Sequence, residues 1–282
     1  MPEVIINPTH PACRGEELPN KSVEQYRPDL QRNGVVKIPG VFALNEMQNL
    51  RRAVFETLIT TNDQRQYQEG GHIQWRIISG KRWPSIIFWP ALINEDLRAI
   101  RHASRFIGVI QSFLAGDIRQ MNNQVYLRLP GDHDEFNIHQ DLMFRREVNN
   151  MDLILSSYIQ TVVAIDRVDS TNGGVEFFLG SHRAGLLDLV NSDRSNLRSY
   201  DAQTRRRLEK HFEPVTFELE PGDMLVWNLL VAHGSRANVS ERTRMTYMNG
   251  FCDSAASMRW PMFIERGRVV NLNAAMIPLK TT

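Results

Sequence analysis

Two hydrophobic periods divide the chain. Leu44, Met47, Leu50, Val54, Phe55 and Leu58 recur at helical spacing and predict an amphipathic helix. A second helix is predicted from about Asn94 to Leu114, with Leu97, Ile100, Phe106, Ile107, Ile110 and Leu114 on one side. Ahead of them, Ser22 and Gln25 fit a capping box opening a short helix that Asn33-Gly34 stops. Val35 to Ile38 then reads as a strand ended by Pro39-Gly40, and Gly70 to Trp89 as strands and loops. From about residue 120 the runs become short and β-like: Gln120–Leu129, Leu153–Ile165, Val175–Leu179, Val215–Leu219, Met224–Trp227 and Thr243–Phe251. Pro130-Gly131, Asn172-Gly173-Gly174 and Pro221-Gly222-Asp223 supply turns between them, and one helix, capped by Asp201, runs to about His211. This pattern predicts a mainly β sandwich or barrel with flanking helices, the N-terminal ones packed on one sheet. Residues 1–21, with four prolines, read as an irregular lead-in, and residues 22–282 as a single domain without linker or repeat.

Composition narrows the function classes. Lys and Arg number 33 against 32 Asp and Glu, a net charge of +1, so no large field recruits nucleic acid or an anionic membrane. The two cysteines, Cys13 and Cys252, cannot build a disulfide framework and fit a reducing compartment. No apolar run reaches the ~18 residues of a membrane span, and the N-terminal residues lack a basic region followed by an apolar core. The expectation is a cytoplasmic protein, monomer or homodimer, acting on a small molecule.

The chemistry concentrates in a few residues. Of eight histidines, His10, His72, His102, His133 and His211 have no partner at useful spacing. His139-Gln140-Asp141 differs, because residues i and i+2 of a strand share a face and can converge on one ion. A bare His-x-Asp is common by chance and needs a distant histidine, which His233 supplies at the end of an apolar run after the Pro221-Gly222-Asp223 turn. Two histidines and one carboxylate are the donor set of non-haem Fe(II) sites, which keep three positions open. Eleven residues on, Arg244 lies inside an apolar strand, where a guanidinium needs an anionic partner. That partner is either a core carboxylate or a bound acid, and Arg242 competes for the role. A five-carbon diacid, 2-oxoglutarate, suits the span between such an arginine and the metal.

Taken in order, the motifs resemble the phytanoyl-CoA dioxygenase-like family of Fe(II)/2-oxoglutarate dioxygenases over roughly Ser22 to Phe251. They are Asn33-Gly34-Val35-Val36 with Pro39-Gly40-Val41, Leu129-Pro130-Gly131, His139-Gln140-Asp141, Asn172-Gly173-Gly174, Gly180-Ser181-His182, Pro221-Gly222-Asp223 and His233-Gly234-Ser235…Asn238…Ser240…Arg244. The resemblance implies a double-stranded β-helix of jelly-roll, cupin-like type. It also implies that His139, Asp141 and His233 hold Fe(II) and that Arg244, helped by Ser235, binds the far carboxylate of 2-oxoglutarate. Gln140 and Gln124 match positions that touch this cosubstrate, and Val162 stands where the family often has Trp. O2 would be the oxidant, succinate and CO2 the by-products, and hydroxylation or another oxidation of an unactivated C–H bond the outcome. A carboxylate at Asp141 argues against the related halogenases, which have a small residue there.

For the substrate, a secondary metabolite or lipid-like acid, the expected walls are Trp75 and Arg76 in the Gly70–Trp89 segment, then Phe144, Arg145 and Arg146 after the metal motif. Two alternatives stand beside hydroxylation: a metal- and 2-oxoglutarate-binding sensor without turnover, and a cupin-type metalloenzyme that needs no 2-oxoglutarate.

Overall fold

The computed structural model describes residues 23–60, 71–78, 80–145, 148–189 and 200–277. The lead-in 1–21, the Ser22 half of the capping box and Arg146 lie outside the described residues. A 3-10 turn, Val23–Tyr26, leads into helix α1 (Arg27–Asn33), which Gly34 ends in the left-handed conformation at φ 78°. Then come β1 (Val35–Ile38), α2 (Leu44–Thr60), the hairpin β2 (Ile73–Ile78) and β3 (Lys81–Phe88), α3 (Pro90–Ile93), α4 (Glu95–His102) and α5 (Ser104–Phe113). The β-rich half follows: β4 (Ile118–Arg128), β5 (Phe136–His139), α6 (Met151–Ser157), β6 (Ile159–Ala164), β7 (Val175–Phe178), α7 (Ala202–Leu208) and β8 (Pro214–Thr216). It closes with β9 (Met224–Asn228), β10 (His233–Ser235), β11 (Arg244–Asp253), β12 (Met262–Glu265) and β13 (Arg268–Val269).

Two stretches depart from their sequence pattern. The helix expected over Asn94–Leu114 is two helices, broken where Ala103 turns extended at ψ 129°. The apolar period runs on across the break, so both pieces face one core and the pattern hides the bend. The β-like run Leu153–Ile165 begins as helix α6, because the Asn150 side chain accepts a hydrogen bond from the Leu153 N–H and nucleates a turn. Only β6 remains as strand.

Among the described residues the strands form two antiparallel sheets. The larger has nine strands in the order β1-β9-β6-β11-β4-β12-β13, with the β2–β3 hairpin joined to β4 through β3; the smaller is β5-β10-β7-β8. From β4 to β11 the chain changes sheet at every step except β7 to β8, which is the jelly-roll winding. The two-residue period of the strands sorts their side chains. Val125 and Leu127 of β4, Val163 of β6 and Tyr247 of β11 face outward and bury Met47, Leu50 and Val54 of α2 and Phe106, Val109 and Ile110 of α5. Val162 and Ala164 of β6 and Leu225 and Trp227 of β9 face inward and pack with Phe177 of β7. The helices therefore cover one face of the large sheet, while its other face meets the small sheet and makes the chamber that holds the site. No helix of the described residues is long and apolar enough to cross a membrane.

Candidate metal centre

Strands β5 and β10 bring two histidines face to face. His139 ends β5, His233 begins β10, and the two are direct cross-strand partners with ring centroids 4.2 Å apart. Asp141 opens the 3-10 turn Asp141–Phe144 that follows β5. Its Oδ1 lies 3.5 Å from His139 Nε2 and 3.7 Å from His233 Nε2, and one donor atom from each residue falls within 4.8 Å of the others. The backbone fixes both rings: His139 Nδ1 is 2.8 Å from the Asn137 carbonyl and His233 Nδ1 is 2.9 Å from the Val231 carbonyl. A carbonyl only accepts, so each Nδ1 carries the proton and each Nε2 presents its lone pair to the centre.

Trp227, on the inward face of β9, donates its indole N–H to Asp141 Oδ2 at 2.9 Å, which leaves Oδ1 for the centre. Phe177 stacks on His233 with centroids 5.5 Å apart, and Phe144 meets His139 edge-on at 5.4 Å. All three donors are buried. Burial, with His139 nearby, pushes His233 down to about 4. Burial would raise Asp141, but His233, the His139 hydrogen bond and Arg145 hold it well below the usual carboxylate range. At neutral pH His233 is thus a neutral imidazole and Asp141 a carboxylate, the states in which each can bind a metal. This donor set, converging from three buried side chains, fits a non-haem iron ion. Trp227→Phe removes the indole hydrogen bond while keeping an apolar ring. It is expected to weaken metal affinity by about tenfold to a hundredfold, read by titrating the purified protein with Fe(II) under anaerobic conditions.

A cationic cluster lies at the Ser235 end of β10. Arg244, the first residue of β11, pairs in register with Arg128, the last of β4, and both are buried. Arg244 Nη1 donates to the Gly173 carbonyl in the Asn-Gly-Gly turn, and its Nε–H has no partner among the described residues. Arg128 donates to the Asp134 carbonyl and, at 3.4 Å, to Ser235 Oγ; its Nε–H is likewise unpartnered among the described residues. Arg76 joins them through Asp132 at 3.2 Å and Asp134 at 2.7 Å, and Asp132 also stands 3.7 Å from Arg128. Three guanidinium groups thus face two carboxylates, and one positive charge is left for an anion. Burial, with repulsion from Arg128, lowers Arg244 to about 9, the strain that a bound carboxylate would relieve. Arg242 sits elsewhere: it pairs with Asp169 at 2.6 Å and its side chain is 48% exposed.

The remaining expected residues fall in distinct places. Ser235 shares a face of β10 with His233 and so bridges the metal side and the arginine side. Gln124 is on the inward face of β4, two residues from Tyr126 and four from Arg128, opposite Met248 of β11. Gln140 points away: its amide donates to the Gly185 and Leu230 carbonyls at 2.9 and 2.6 Å and accepts from Leu187 N–H at 2.9 Å. It ties loops together, and its amide is fully used by backbone. Val162 does face the chamber. Trp75 lies under the Arg82 guanidinium at 4.8 Å, and Arg76 pairs with Asp132 and Asp134. Arg145 follows the Asp141 turn and reaches Tyr158. Arg128 and Trp227 were missed in the sequence; Arg128 was open to detection, since period two from Gln124 runs through Tyr126 to Arg128 on one face.

A jelly roll with a buried His–Asp–His cluster beside an arginine anion site defines the class of iron- and 2-oxoglutarate-type oxygenases. The family model for phytanoyl-CoA dioxygenase (PhyH) matches residues 30–246, and the chain belongs to that family. Its cofactors are accordingly iron, 2-oxoglutarate and O2. No protein of curated function matches the sequence. Solved structures share the fold at low identity. EctD from S. alaskensis, solved with 2-oxoglutarate and 5-hydroxyectoine, is 16% identical with a TM-score of 0.66, over 88% of this chain and 82% of that one. The epimerase SnoN, in complex with Fe3+, alpha ketoglutarate and nogalamycin RO, is 17% identical with a TM-score of 0.64, over 82% and 84%. The non-heme monooxygenase ThoJ, as its nickel complex, is 15% identical with a TM-score of 0.60, over 82% and 78%.

Proposed function

We propose that this protein hydroxylates an unactivated C–H bond of a small organic molecule, consuming 2-oxoglutarate and O2 and releasing succinate and CO2. The carrying observation is β10, where His233 faces the metal cluster and Ser235, two residues on, touches the arginine cluster. One three-residue strand thereby aligns a metal site with an acid site.

In this reading His139, Asp141 and His233 hold Fe(II), and Arg244, Arg128 and Ser235 hold the far carboxylate of 2-oxoglutarate. The bound iron, cosubstrate and O2 supply the oxidising power. The chain itself supplies orientation and dryness. The carbonyls of Asn137 and Val231 aim the imidazoles, Trp227 aims the carboxylate, and Phe144 and Phe177 close the apolar side against water. Asp141 occupies the third protein position with an oxygen donor, which favours oxygen insertion over halogenation. Residues 22–282 act as one catalytic domain. The balance is 2-oxoglutarate, O2 and R–H in, and succinate, CO2 and R–OH out. With Fe(II) and ascorbate, succinate is expected to form slowly without substrate and severalfold faster with a compound from a metabolite library. Complete absence of succinate under every condition would favour a sensor over an enzyme.

A further inference from the structure

The cosubstrate reading leaves one half-buried cation unused. Arg145 emerges from the Asp141–Phe144 turn, and its Nε and Nη2 both donate to Tyr158 Oη, at 3.2 and 2.8 Å. Nη1 makes one long bond, 3.3 Å, to the Phe144 carbonyl. A guanidinium has five N–H groups. The edge between Nη1 and Nη2 therefore keeps two N–H groups side by side, the edge that grips a carboxylate end-on.

Among the described residues no carboxylate forms an ion pair with Arg145, and the one whose field it feels is Asp141. A metal at Asp141 would draw that charge away. Tyr158 cannot substitute, because its hydroxyl donates to Gln160 Oε1 and burial holds the phenol above its ordinary value, so it stays neutral. A half-buried guanidinium with no carboxylate of the described residues on its end-on edge can pair there with the carboxylate of a ligand.

The surroundings are built to hold this group in place. Gln160 of β6 and Asn122 of β4 both stand opposite Gly250 of β11, and the two amides exchange hydrogen bonds of 3.3 Å. At Gly250 a side chain would collide with Tyr158 Oη and lie 2.9 Å from Gln160 Oε1, so only glycine leaves the room that the Arg145–Tyr158–Gln160 chain occupies. Leu142 and Leu153 pack beside Tyr158 and give the same corner an apolar wall. On the inward face of β4, Asn122 is six residues from Arg128, about 20 Å at ~3.3 Å per strand residue. The corner that holds Arg145 is therefore distinct from the arginine pair, and Asp141 and Arg145 both act on Tyr126, two residues from Arg128 on that face.

We propose that Arg145 is the substrate's anchor, and that the substrate is a small carboxylic acid on an apolar body whose carboxylate docks on the free Nη1/Nη2 edge. This deepens the oxygenase reading and rests on it: the acid end is fixed at Arg145, and a C–H bond further along is held toward the metal. Arg145 is a specificity residue here, with Tyr158 and Gln160 positioning it.

The test is calorimetric titration of protein loaded with redox-inert Mn(II) and saturated with N-oxalylglycine, which fills the cosubstrate place. The probes are hexanoate, 3-phenylpropanoate and indole-3-acetate, each beside its primary amide. At least one acid should bind saturably, with its amide at least about tenfold weaker, and Arg145→Gln should lower acid affinity about tenfold to a hundredfold. Arg145→Lys should restore part of it, and both variants should bind N-oxalylglycine like wild type, which shows the chamber intact. No binding by any acid, equal binding of acid and amide, or wild-type acid affinity in Arg145→Gln would overturn the proposal. Failure of N-oxalylglycine to bind wild type, with acid binding still dependent on Arg145, would instead overturn the cosubstrate reading.

Discussion

Asp141→Ala abolishes stoichiometric iron binding. The substitution removes the only oxygen donor of the cluster and leaves two imidazoles 4.2 Å apart, centroid to centroid, with no charge to offset the ion. It also leaves the buried Trp227 N–H without its acceptor, a cost of about 1–3 kcal/mol that falls on stability. The loss of affinity should exceed the roughly hundredfold that removing an outer hydrogen-bond partner produces. Anaerobic dialysis against Fe(II) followed by metal analysis reads it directly. Iron retained at one equivalent in Asp141→Ala would place the metal elsewhere.

Arg244→Leu is expected to raise the 2-oxoglutarate Kd by about a hundredfold or more, since a buried charge partner is worth about 3 kcal/mol or more. Arg242→Leu should leave it unchanged, because that side chain is half exposed and already committed to Asp169. The contrast is informative because the two arginines are two residues apart and equally basic. In Arg244→Leu iron binding should persist, since no metal donor is touched. Arg128→Leu should weaken the cosubstrate less, because Arg128 stays partly neutralised by Asp132. Equal losses at positions 242 and 244 would mean that the effect arises from net charge and not from contact.

Much of this architecture was legible in the residues. Strands β4, β6, β7, β8, β9 and β11 announce themselves through β-like runs between Gly-containing turns, and α2 through its 3.6-residue period. His139, Asp141 and His233 stood out because an ion needs donors on one face, and the structure brings them together. Strands β5 and β10, which carry both histidines, span only four and three residues, too short to show a period. The bend at Ala103 and helix α6 were hidden for a different reason. Apolar residues continue through both, and local capping by Asn150, not hydrophobic pattern, decides the second. Trp227 was unreadable as a partner of Asp141, because their separation of 86 positions is closed only by tertiary packing. Gln140 shows the converse. As the middle residue of His-Gln-Asp it faces away from both ligands, and the amide that the resemblance assigned to cosubstrate contact is bonded to backbone instead.

The central claim is that the His–Asp–His cluster and the arginine pair form one compound site, in which 2-oxoglutarate spans from the metal to Arg244. Anaerobic addition of Fe(II) and 2-oxoglutarate to the purified protein tests it most directly, by absorption in the visible. The account predicts a weak charge-transfer band that saturates near one equivalent of each, is absent in Asp141→Ala, and needs much more 2-oxoglutarate in Arg244→Leu. No band in the wild-type protein, or a band indifferent to both substitutions, would contradict it.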